Sequence, residues 1–339
     1  NITMADFNVN HITGKQGQQG TVLAGVTTMS STGSMRIPGG PTEQRGGRGR
    51  GVIMGGGTPS ATNICEYITI ATTGNATDFG DTTVTRATNG GAASATRSFS
   101  LGGNTPSASA VVDYITTSSL GGASAFGDLT LARMYPAGVS DSTRAIANGG
   151  STPLSSNVID YITMASTGDA SDFGDLIEPT TYLTGAGCQS PTRGFVWGGH
   201  PQNSPMIQFY EIQSKGNAVE FGEQTISKDG VSCGSNTTRG VSYGGSVQPA
   251  NTGTNTIDYI TMSTRGNATD FGDATSPNTR WIGAGMYSAT RGVHHGGYPA
   301  SNIIAYITIA STGNAADFGD ATASRGSFAG SSDSHGGLG

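Results

Sequence analysis

Charged side chains are scarce in this sequence. Only 12% of the 339 residues are Asp, Glu, Lys or Arg, and acidic residues outnumber basic ones by 23 to 17. The net charge of −6 gives no broad electrostatic reason to bind nucleic acid or an anionic membrane. The single basic cluster, residues 45–50, lacks the interleaved aromatic residues on which bases stack. The sequence therefore predicts no nucleic-acid partner.

Cysteines and long apolar runs are also rare. Cys65, Cys188 and Cys233 are too few and too widely spaced for a disulfide framework or a zinc site, so we expect them to be small core residues. No apolar run approaches the ~20 residues that a membrane-spanning helix needs. No basic segment followed by an apolar one opens the chain, and Met4 has the character of an initiator. We expect neither membrane insertion nor a secretory signal.

The motifs that usually carry catalysis are missing as well. The sequence contains no His-Glu-x-x-His helix and no phosphate-binding Gly-Lys-Thr loop. His294 and His295 are neighbours in a predicted strand, so their side chains should point to opposite faces and chelate a metal poorly. Asp pairs such as Asp78 with Asp81 lack the dense oxygen pattern of a calcium loop and are interpreted as turn caps. We expect no enzyme activity, catalytic residue, cofactor or metal.

Glycine is abundant, at 55 residues, and this decides the fold class. Each glycine costs about 1 kcal/mol relative to Ala inside a helix, which excludes a helical bundle. A strict three-residue period is absent, which excludes collagen. Residues 50–96 alternate short β-branched or aromatic runs with Gly- and Asn-rich turns, which predicts about four short strands. The chain is therefore expected to be all-β.

Three sequence markers recur in phase six times. The first is a Tyr that closes an apolar stretch, at Tyr67, Tyr114, Tyr161, Tyr210, Tyr259 and Tyr306. The second is a Phe-Gly-acid triplet that begins at Phe79, Phe126, Phe173, Phe221, Phe271 and Phe318. The third is an Arg five residues before a Gly doublet, at Arg50, Arg97, Arg144, Arg193, Arg239 and Arg291. We expect these residues to build a scaffold, with the Arg bonded to backbone carbonyls or to an Asp of a neighbouring unit.

A four-stranded unit of about 47 residues has the size of one β-propeller blade. Residues 50–339 are predicted to form a propeller, with six blades favoured and closed by strands from the two termini. A seventh blade, built from residues 20–49 and the C-terminal stub, is the alternative. Residues 1–49 are predicted to form an extended leader that docks the chain on a partner or on its own copies by adding strands to them.

Two resemblances follow from these motifs. The Arg, the Gly doublet and the downstream Tyr resemble the kelch repeat. The string Tyr-Ile-Thr-Ile-Ala-x-Thr-Gly-Asn-Ala-x-Asp-Phe-Gly-Asp, intact or nearly so at 67–81, 161–175, 259–273 and 306–320, is similar to repeats of virion structural proteins of tailed marine phages, especially phages of cyanobacteria. The leader and the segment 332–337 are similar to the same proteins. The resemblance implies a virion component: a tail fibre, a fibre tip or a capsid decoration.

Binding specificity is expected in the segments that vary between units, 200–207, 245–256 and 297–302, although they could also be tolerated insertions. The candidate ligand-binding residues in these loops are His200, Gln202, Asn203, Gln248, Asn251 and Tyr298. The expected partners are other virion proteins, a host-surface glycan or envelope protein, and further copies of the chain, with a trimer as one option. An architectural decoration without host contact is the first alternative. A glycan-cleaving propeller is a remote one, since no facing pair of carboxylates can be nominated.

Overall fold

The computed structural model of the chain describes the strands Thr21–Leu23, Thr27–Met29 and Met35–Arg36, and then residues 49–57, 60–183, 185, 187–200, 204–276, 283 and 285–334. The chain divides into two units, Asn1–Thr42 and Glu43–Gly339. In the first unit, β1 (Thr21–Leu23), β2 (Thr27–Met29) and β3 (Met35–Arg36) form an antiparallel sheet in the order β1-β2-β3. Within the described ranges, no helix is long and apolar enough to cross a membrane.

The described elements of the second unit are strands throughout. They are β4 (Arg50–Met54), β5 (Thr62–Thr69), β6 (Thr77–Arg86), β7 (Gly90–Ala93), β8 (Arg97–Leu101), β9 (Val111–Thr116), β10 (Ser124–Asp128), β11 (Ala137–Ser140), β12 (Arg144–Asn148), β13 (Ser151–Thr152), β14 (Leu154–Thr163), β15 (Ser171–Thr180), β16 (Gly187–Gln189), β17 (Arg193–Trp197), β18 (Met206–Glu211), β19 (Val219–Glu223), β20 (Lys228–Asp229), β21 (Ser232–Ser235), β22 (Arg239–Tyr243), β23 (Ser246–Val247), β24 (Thr252–Gly253), β25 (Thr256–Thr261), β26 (Thr269–Asp273), β27 (Met286–Tyr287), β28 (Arg291–His295), β29 (Ser301–Thr308), β30 (Ala316–Arg325) and β31 (Ala329–Ser332).

These strands form six small antiparallel sheets in the described part of the chain, an arrangement consistent with propeller blades. From the innermost strand outwards, sheet 1 is β31-β4-β5-β6, sheet 2 is β7-β8-β9-β10, sheet 3 is β11-β12-β14-β15, sheet 4 is β16-β17-β18-β19, sheet 5 is β21-β22-β25-β26 and sheet 6 is β27-β28-β29-β30. The short β13 pairs with the start of β14, and β20, β23 and β24 form a small additional sheet. The expected all-β class and the four short strands per unit are confirmed.

Each sheet is offset from the repeat as it is written in the sequence. The innermost strand precedes the repeated Arg and comes from the end of the previous sequence unit, as β7 does for sheet 2. The innermost strand of sheet 1 is β31, which follows the last repeat and pairs with β4, with Ala329 opposite Met54 and Ser332 opposite Gly51. The first and last sequence units are thereby joined by backbone hydrogen bonds.

The innermost strands contact one another in a closed ring, in the order β31, β7, β11, β16, β21, β27 and back to β31. Glycine makes this close approach feasible, because a Cβ at Gly138 would overlap the backbone of Gly91, and one at Gly91 would overlap the carbonyl oxygen of Gly330. The central cavity at these strands has a volume of only about 30 Å³. The centre of the ring is therefore packed, and the larger cavities lie between sheets.

Candidate functional site

The six repeated arginines connect neighbouring sheets. Each guanidinium lies over an aromatic ring of its own sheet, with the carbon Cζ 4.7–5.1 Å from the ring centroid. Each also donates a hydrogen bond to a backbone carbonyl of the next sheet, as Arg50 does to Thr117 at 2.8 Å and Arg97 to Met164 at 2.7 Å. The repeated arginines were expected to bond either to backbone carbonyls or to an Asp of a neighbouring unit. In the structure they bond to backbone carbonyls of the next sheet.

The aromatic partner in sheet 4 corrects one prediction. Tyr210 was grouped with the repeated tyrosines, but Arg193 lies over Phe209 instead. The strand register explains the shift, because Arg193 pairs with Glu211 just as Arg144 pairs with Thr163, which makes Phe209 the equivalent of Tyr161. Tyr210 is one position further along and is buried, at 3% exposure.

The most distinctive sequence string also connects sheets. The amide of the turn residue Gly168 donates to the carbonyl of Phe126, and the amide of Ala170 donates to that of Asp128, at 2.9 and 2.8 Å. Asp169 Oδ1 accepts a hydrogen bond from the amide of Asp128, the role that Asn takes in later repeats. The turn of each sheet is thus bonded to the Phe-Gly-acid triplet of the preceding sheet, including sheet 6 to sheet 1. The exposed aspartates of the triplets, such as Asp81 and Asp273, belong to this arrangement.

Buried ion pairs form a third set of contacts between sheets. The cation lies five residues after the triplet acid, and the carboxylate lies in the third strand of the next sheet. The pairs are Arg86 with Asp113, Arg133 with Asp160, Lys228 with Asp258 and Arg325 with Glu66, and their side chains are at most 2% exposed. A Thr two residues after the triplet acid adds a hydroxyl donor, as Thr130 does to Asp160 at 2.6 Å.

Two of the six interfaces depart from this pattern. Between sheets 3 and 4, Thr180 and Gln208 take the positions of cation and acid, and Gln208 Oε1 accepts a hydrogen bond from the Ile177 amide at 2.8 Å. Between sheets 5 and 6, Ala305 takes the position of the acid, opposite His294 in the strand register. Thr275 therefore has no carboxylate at that position, and its amide donates instead to the hydroxyl of Tyr243, at 3.4 Å.

A cavity of about 250 Å³ lies at this second departure, between sheets 5 and 6. Its buried part contains Tyr243, His294, His295 and Ala305, each at most 4% exposed. Its mouth contains the half-buried or exposed Thr275, Ser276, Tyr298, Ser301 and Ile303. The described lining includes aromatic rings, hydroxyls and imidazoles but no Asp, Glu, Lys or Arg. It is suited to binding an uncharged ligand.

His294 and His295 lie on opposite sides of β28, as the alternation of a strand predicts. His294 stacks on Tyr243 with ring centroids 4.0 Å apart, and its ring nitrogens are 2.7 Å from the Tyr287 hydroxyl and 2.8 Å from the Ser232 hydroxyl. His295 stacks on Phe328 at 4.8 Å. Burial lowers the pKa of both imidazoles to about 3, so both are neutral at physiological pH. Among the described residues, no group of three His, Cys, Asp or Glu side chains could hold a metal ion.

The predicted ligand-binding residues do not form a single site. Tyr298, 44% exposed, lines the cavity between sheets 5 and 6. His200 and Gln248 belong to a different group around Asp229: Gln248 Nε2 donates to Asp229 Oδ2 at 2.9 Å, and the charge of His200 acts on the same carboxylate. Asn251 Oδ1 accepts a hydrogen bond at 2.7 Å from Ser246, which is paired with Asp229 in the strand register. Gln202 and Asn203 lie outside the described residues.

Several residues of these two sites were not predicted from the sequence. Tyr135 and Tyr182 pack edge to face at 4.7 Å, and Tyr182 lies 5.3 Å from the ring of His200. Both tyrosines have left-handed backbone angles, with φ of 59° and 56°. Burial raises the pKa of Asp229 beside this group to about 6. The sequence does contain one indication of the cavity: Ala305 stands at a position where most repeats have an acid. This departure can be recognised only when the repeats are aligned by the register of their strands.

The chain matches none of the protein-family models against which it was compared, and no curated protein matches it significantly. Its function is therefore inferred from the repeats and from these two sites.

Proposed function

We propose that the chain is a kelch-like β-propeller with six blades, corresponding to sheets 1–6. The closed ring of innermost strands supports this, because each sheet contacts two neighbours through its first strand. The pairing of β31 with β4 favours six blades over seven, since the C-terminal strand completes sheet 1. The Gly doublets support the kelch likeness, with left-handed angles such as φ of 58° at Gly102 and 111° at Gly103.

We further propose that the protein is a structural component of a phage virion, a tail fibre or fibre tip that attaches to the host surface. The observation that carries this proposal is that the repeated residues and the variable residues lie in different places. The repeated Arg, aromatic, Gly and acidic residues contact neighbouring sheets, whereas the residues that differ between repeats lie around the cavity and around Asp229. A rigid scaffold that presents dissimilar loops is typical of a binding protein.

A binding role is favoured over catalysis by the state of the buried acids. Asp113, Asp160, Asp258 and Glu66 are each paired with a cation and accept a hydrogen bond from a Thr side chain. A carboxylate that is fully buried and bonded in this way is out of reach of a substrate. The likeness of the repeat string to phage virion proteins supports placing this binding protein on the particle. The N-terminal unit would then attach it to other virion proteins or to its own copies.

Competition for host adsorption tests the proposal. Labelled protein should bind cyanobacterial host cells saturably and reduce phage attachment, with multimerised protein used to compensate for weak single contacts. Replacing residues 245–256 by a Gly-Ser segment should weaken both effects. A matched control is Leu120→Ser, because Leu120 is 58% exposed in the turn between β9 and β10, at the opposite end of the sheet from the loop after the Gly doublet.

Two outcomes of this experiment would contradict host attachment or the assignment of its binding surface. If the multimerised protein does not bind host cells, or if it binds without reducing phage attachment, the attachment role is wrong and an architectural decoration becomes the better proposal. If the loop replacement and Leu120→Ser reduce binding equally, the loops are not the binding surface.

A further inference from the structure

Two exposed cations take no part in the repeated contacts between sheets. The repeated arginines and the cations of the buried ion pairs account for all other lysines and arginines that the structure describes in the second unit. The two that remain, Lys215 and Arg265, each precede the Gly of the turn that joins the third and fourth strands of a sheet. The same position is occupied in the other sheets by Thr73, Leu120, Thr167 and Thr312. Only sheets 4 and 5 therefore carry a cation in this turn.

Arg265 brings a second guanidinium to an aromatic ring that already has one. Its carbon Cζ lies 4.9 Å from the centroid of the Phe209 ring in sheet 4, and Cζ of Arg193 lies 5.1 Å from the same centroid. The two guanidinium carbons are therefore at most about 10 Å apart, a separation at which like charges repel. Arg193 Nε donates to Glu211 Oε1 at 2.7 Å, whereas Arg265 forms no ion pair with any described residue.

Both arginines line a cleft of about 450 Å³ between sheets 4 and 5. The rest of its described lining consists of residues 209–211 and 214–217, Val219 and Ser263. The ammonium of Lys215 lies over Tyr161 of sheet 3, 4.7 Å from the ring centroid, so it is directed away from Phe209 and the two guanidinium groups. The charges grouped in the cleft are then those of Arg193, Arg265 and Glu211. Glu211 balances one of the two arginines, and one positive charge is left for a ligand.

This charge balance selects a ligand with a single oxyanion. A guanidinium fork can donate two parallel hydrogen bonds to a carboxylate or a sulfate ester, each of which carries one negative charge. A run of acidic side chains is disfavoured, because the exposed Glu220 and Glu223 lie on β19, the strand that contributes Val219 to the lining. An isolated anionic group on a neutral, hydroxyl-rich body avoids this repulsion, and the exposed hydroxyls of Ser214 and Ser263 can bond to such a body. The volume of about 450 Å³ accommodates a sugar ring.

We propose that the cleft between sheets 4 and 5 binds an acidic sugar, with Arg193 and Arg265 holding its carboxylate or sulfate group. The cleft lies at the turn between β18 and β19, and the Gly doublet lies at the other end of these strands, since Arg193 pairs with Glu211 and Trp197 with Ile207. The site is thus separate from the variable loops, and the inference goes beyond the proposed attachment function. One sugar ring at this exposed site should bind with a dissociation constant on the order of 1 mM at low salt, and more weakly at high salt.

Saturation-transfer NMR on the full chain tests the site with methyl glucuronide and the 6-sulfate of methyl glucoside, and with methyl glucoside as the neutral comparison. At least one acidic glycoside should bind saturably, and methyl glucoside should bind at least about tenfold more weakly. Arg265→Thr should weaken binding of the acidic glycoside at least about tenfold. Glu211→Thr removes the competing carboxylate and should strengthen it. The matched control is Asp317→Asn, which changes the net charge equally at an exposed position of sheet 6 and should leave binding unchanged.

Thermal unfolding identifies any variant that fails to fold, and Arg265→Thr should keep the fold because Thr73, Thr167 and Thr312 occupy the same turn position. The proposal is overturned if neither acidic glycoside binds, if methyl glucoside binds as tightly, or if Arg265→Thr binds like the wild type. It is overturned too if Asp317→Asn strengthens binding as much as Glu211→Thr, since net charge alone would then explain the affinity. A Glu-rich hexapeptide that binds more tightly than both acidic glycosides would refute the sugar and indicate an acidic protein partner. The assay contains no cells, so its result does not depend on host attachment.

Discussion

Removing one partner of a buried ion pair should destabilise the ring of sheets far more than removing both. Asp160 accepts hydrogen bonds from Arg133 at 2.7 Å and from the hydroxyl and amide of Thr130 at 2.6 and 3.1 Å. The side chains of Arg133 and Asp160 are fully buried. Burial lowers the pKa of Arg133, and the charge of Asp160 counteracts that effect. In Asp160→Ala the guanidinium would stay buried without its counter-charge.

The expected cost of Asp160→Ala is about 3–5 kcal/mol of unfolding free energy, the usual cost of leaving one buried charge unpaired. The double variant Arg133→Thr with Asp160→Gln copies the pair Thr180 and Gln208, which this chain already uses between sheets 3 and 4. Because it buries no charge and keeps an acceptor for the Thr130 amide, it should cost less than about 2 kcal/mol.

Guanidinium-induced unfolding, followed by fluorescence and by circular dichroism, measures both variants. Asp160→Ala should also lower the melting temperature on the order of 10 °C. The reasoning is refuted if the double variant is as unstable as Asp160→Ala, because the lost stability would then come from packing and not from the unpaired charge. It is refuted equally if Asp160→Ala costs less than about 1 kcal/mol, the range of an exposed pair.

Burial lowers the pKa of His294 and His295 to about 3, below the ~6.5 of an unfolded chain, so the unfolded state binds more protons and stability falls as the pH drops below about 6.5. The loss from pH 7 to pH 5 is about 2 kcal/mol for each histidine, and His295→Phe should show a correspondingly shallower pH dependence than wild type. Comparison with wild type is needed because Asp229, whose pKa is raised by burial to about 6, acts in the opposite direction. Burial also raises the pKa of the Cys65 and Cys188 thiols to about 12, so iodoacetamide should modify them only after unfolding, and fast labelling of the native protein would contradict their burial. Finally, a chain that ends at Arg325 lacks β31, should lose its cooperative unfolding transition, and should regain it when a peptide of residues 326–339 is added; an unchanged transition would show that β31 does not close the ring.

Most of the fold could be predicted from the sequence because the repeat is long and its three markers recur in the same order in every unit. The Gly doublets required left-handed angles, and the structure has them at all six positions. The sequence unit was nevertheless not the structural unit. Because the innermost strand precedes the repeated Arg, β7 belongs with β8 and not with β6, and only hydrogen bonding between strands reveals that grouping. The same register shows that Phe209, and not Tyr210, stands beneath Arg193.

The candidate sites were less predictable, because they are formed by residues of different sheets whose contacts cannot be read from spacing along the chain. Variable loops drew attention to His200, Gln248 and Tyr298, but sequence spacing cannot show that Tyr298 lines a different cavity from the group around Asp229. The ion pairs were also missed, since Arg133 and Asp160 are 27 residues apart and belong to different sheets. Their partnership appears only when the chain curves so that the end of one sheet meets the middle of the next.

A ring of nearly equivalent interfaces can acquire a single binding site only where the equivalence is broken. The interface between sheets 3 and 4 breaks it conservatively, because Gln208 replaces the carboxylate with an amide that still accepts a hydrogen bond from the Ile177 amide. The interface between sheets 5 and 6 departs from the repeated pattern without such a replacement, because Ala305 has no side-chain acceptor. His294 fills part of the space by stacking on Tyr243, and a cavity of about 250 Å³ remains. Thr275 at the mouth of this cavity is exposed, so its hydroxyl is available to solvent. The cavity therefore lies where the repeated contacts between neighbouring sheets are interrupted, and the repeated residues themselves hold the ring together.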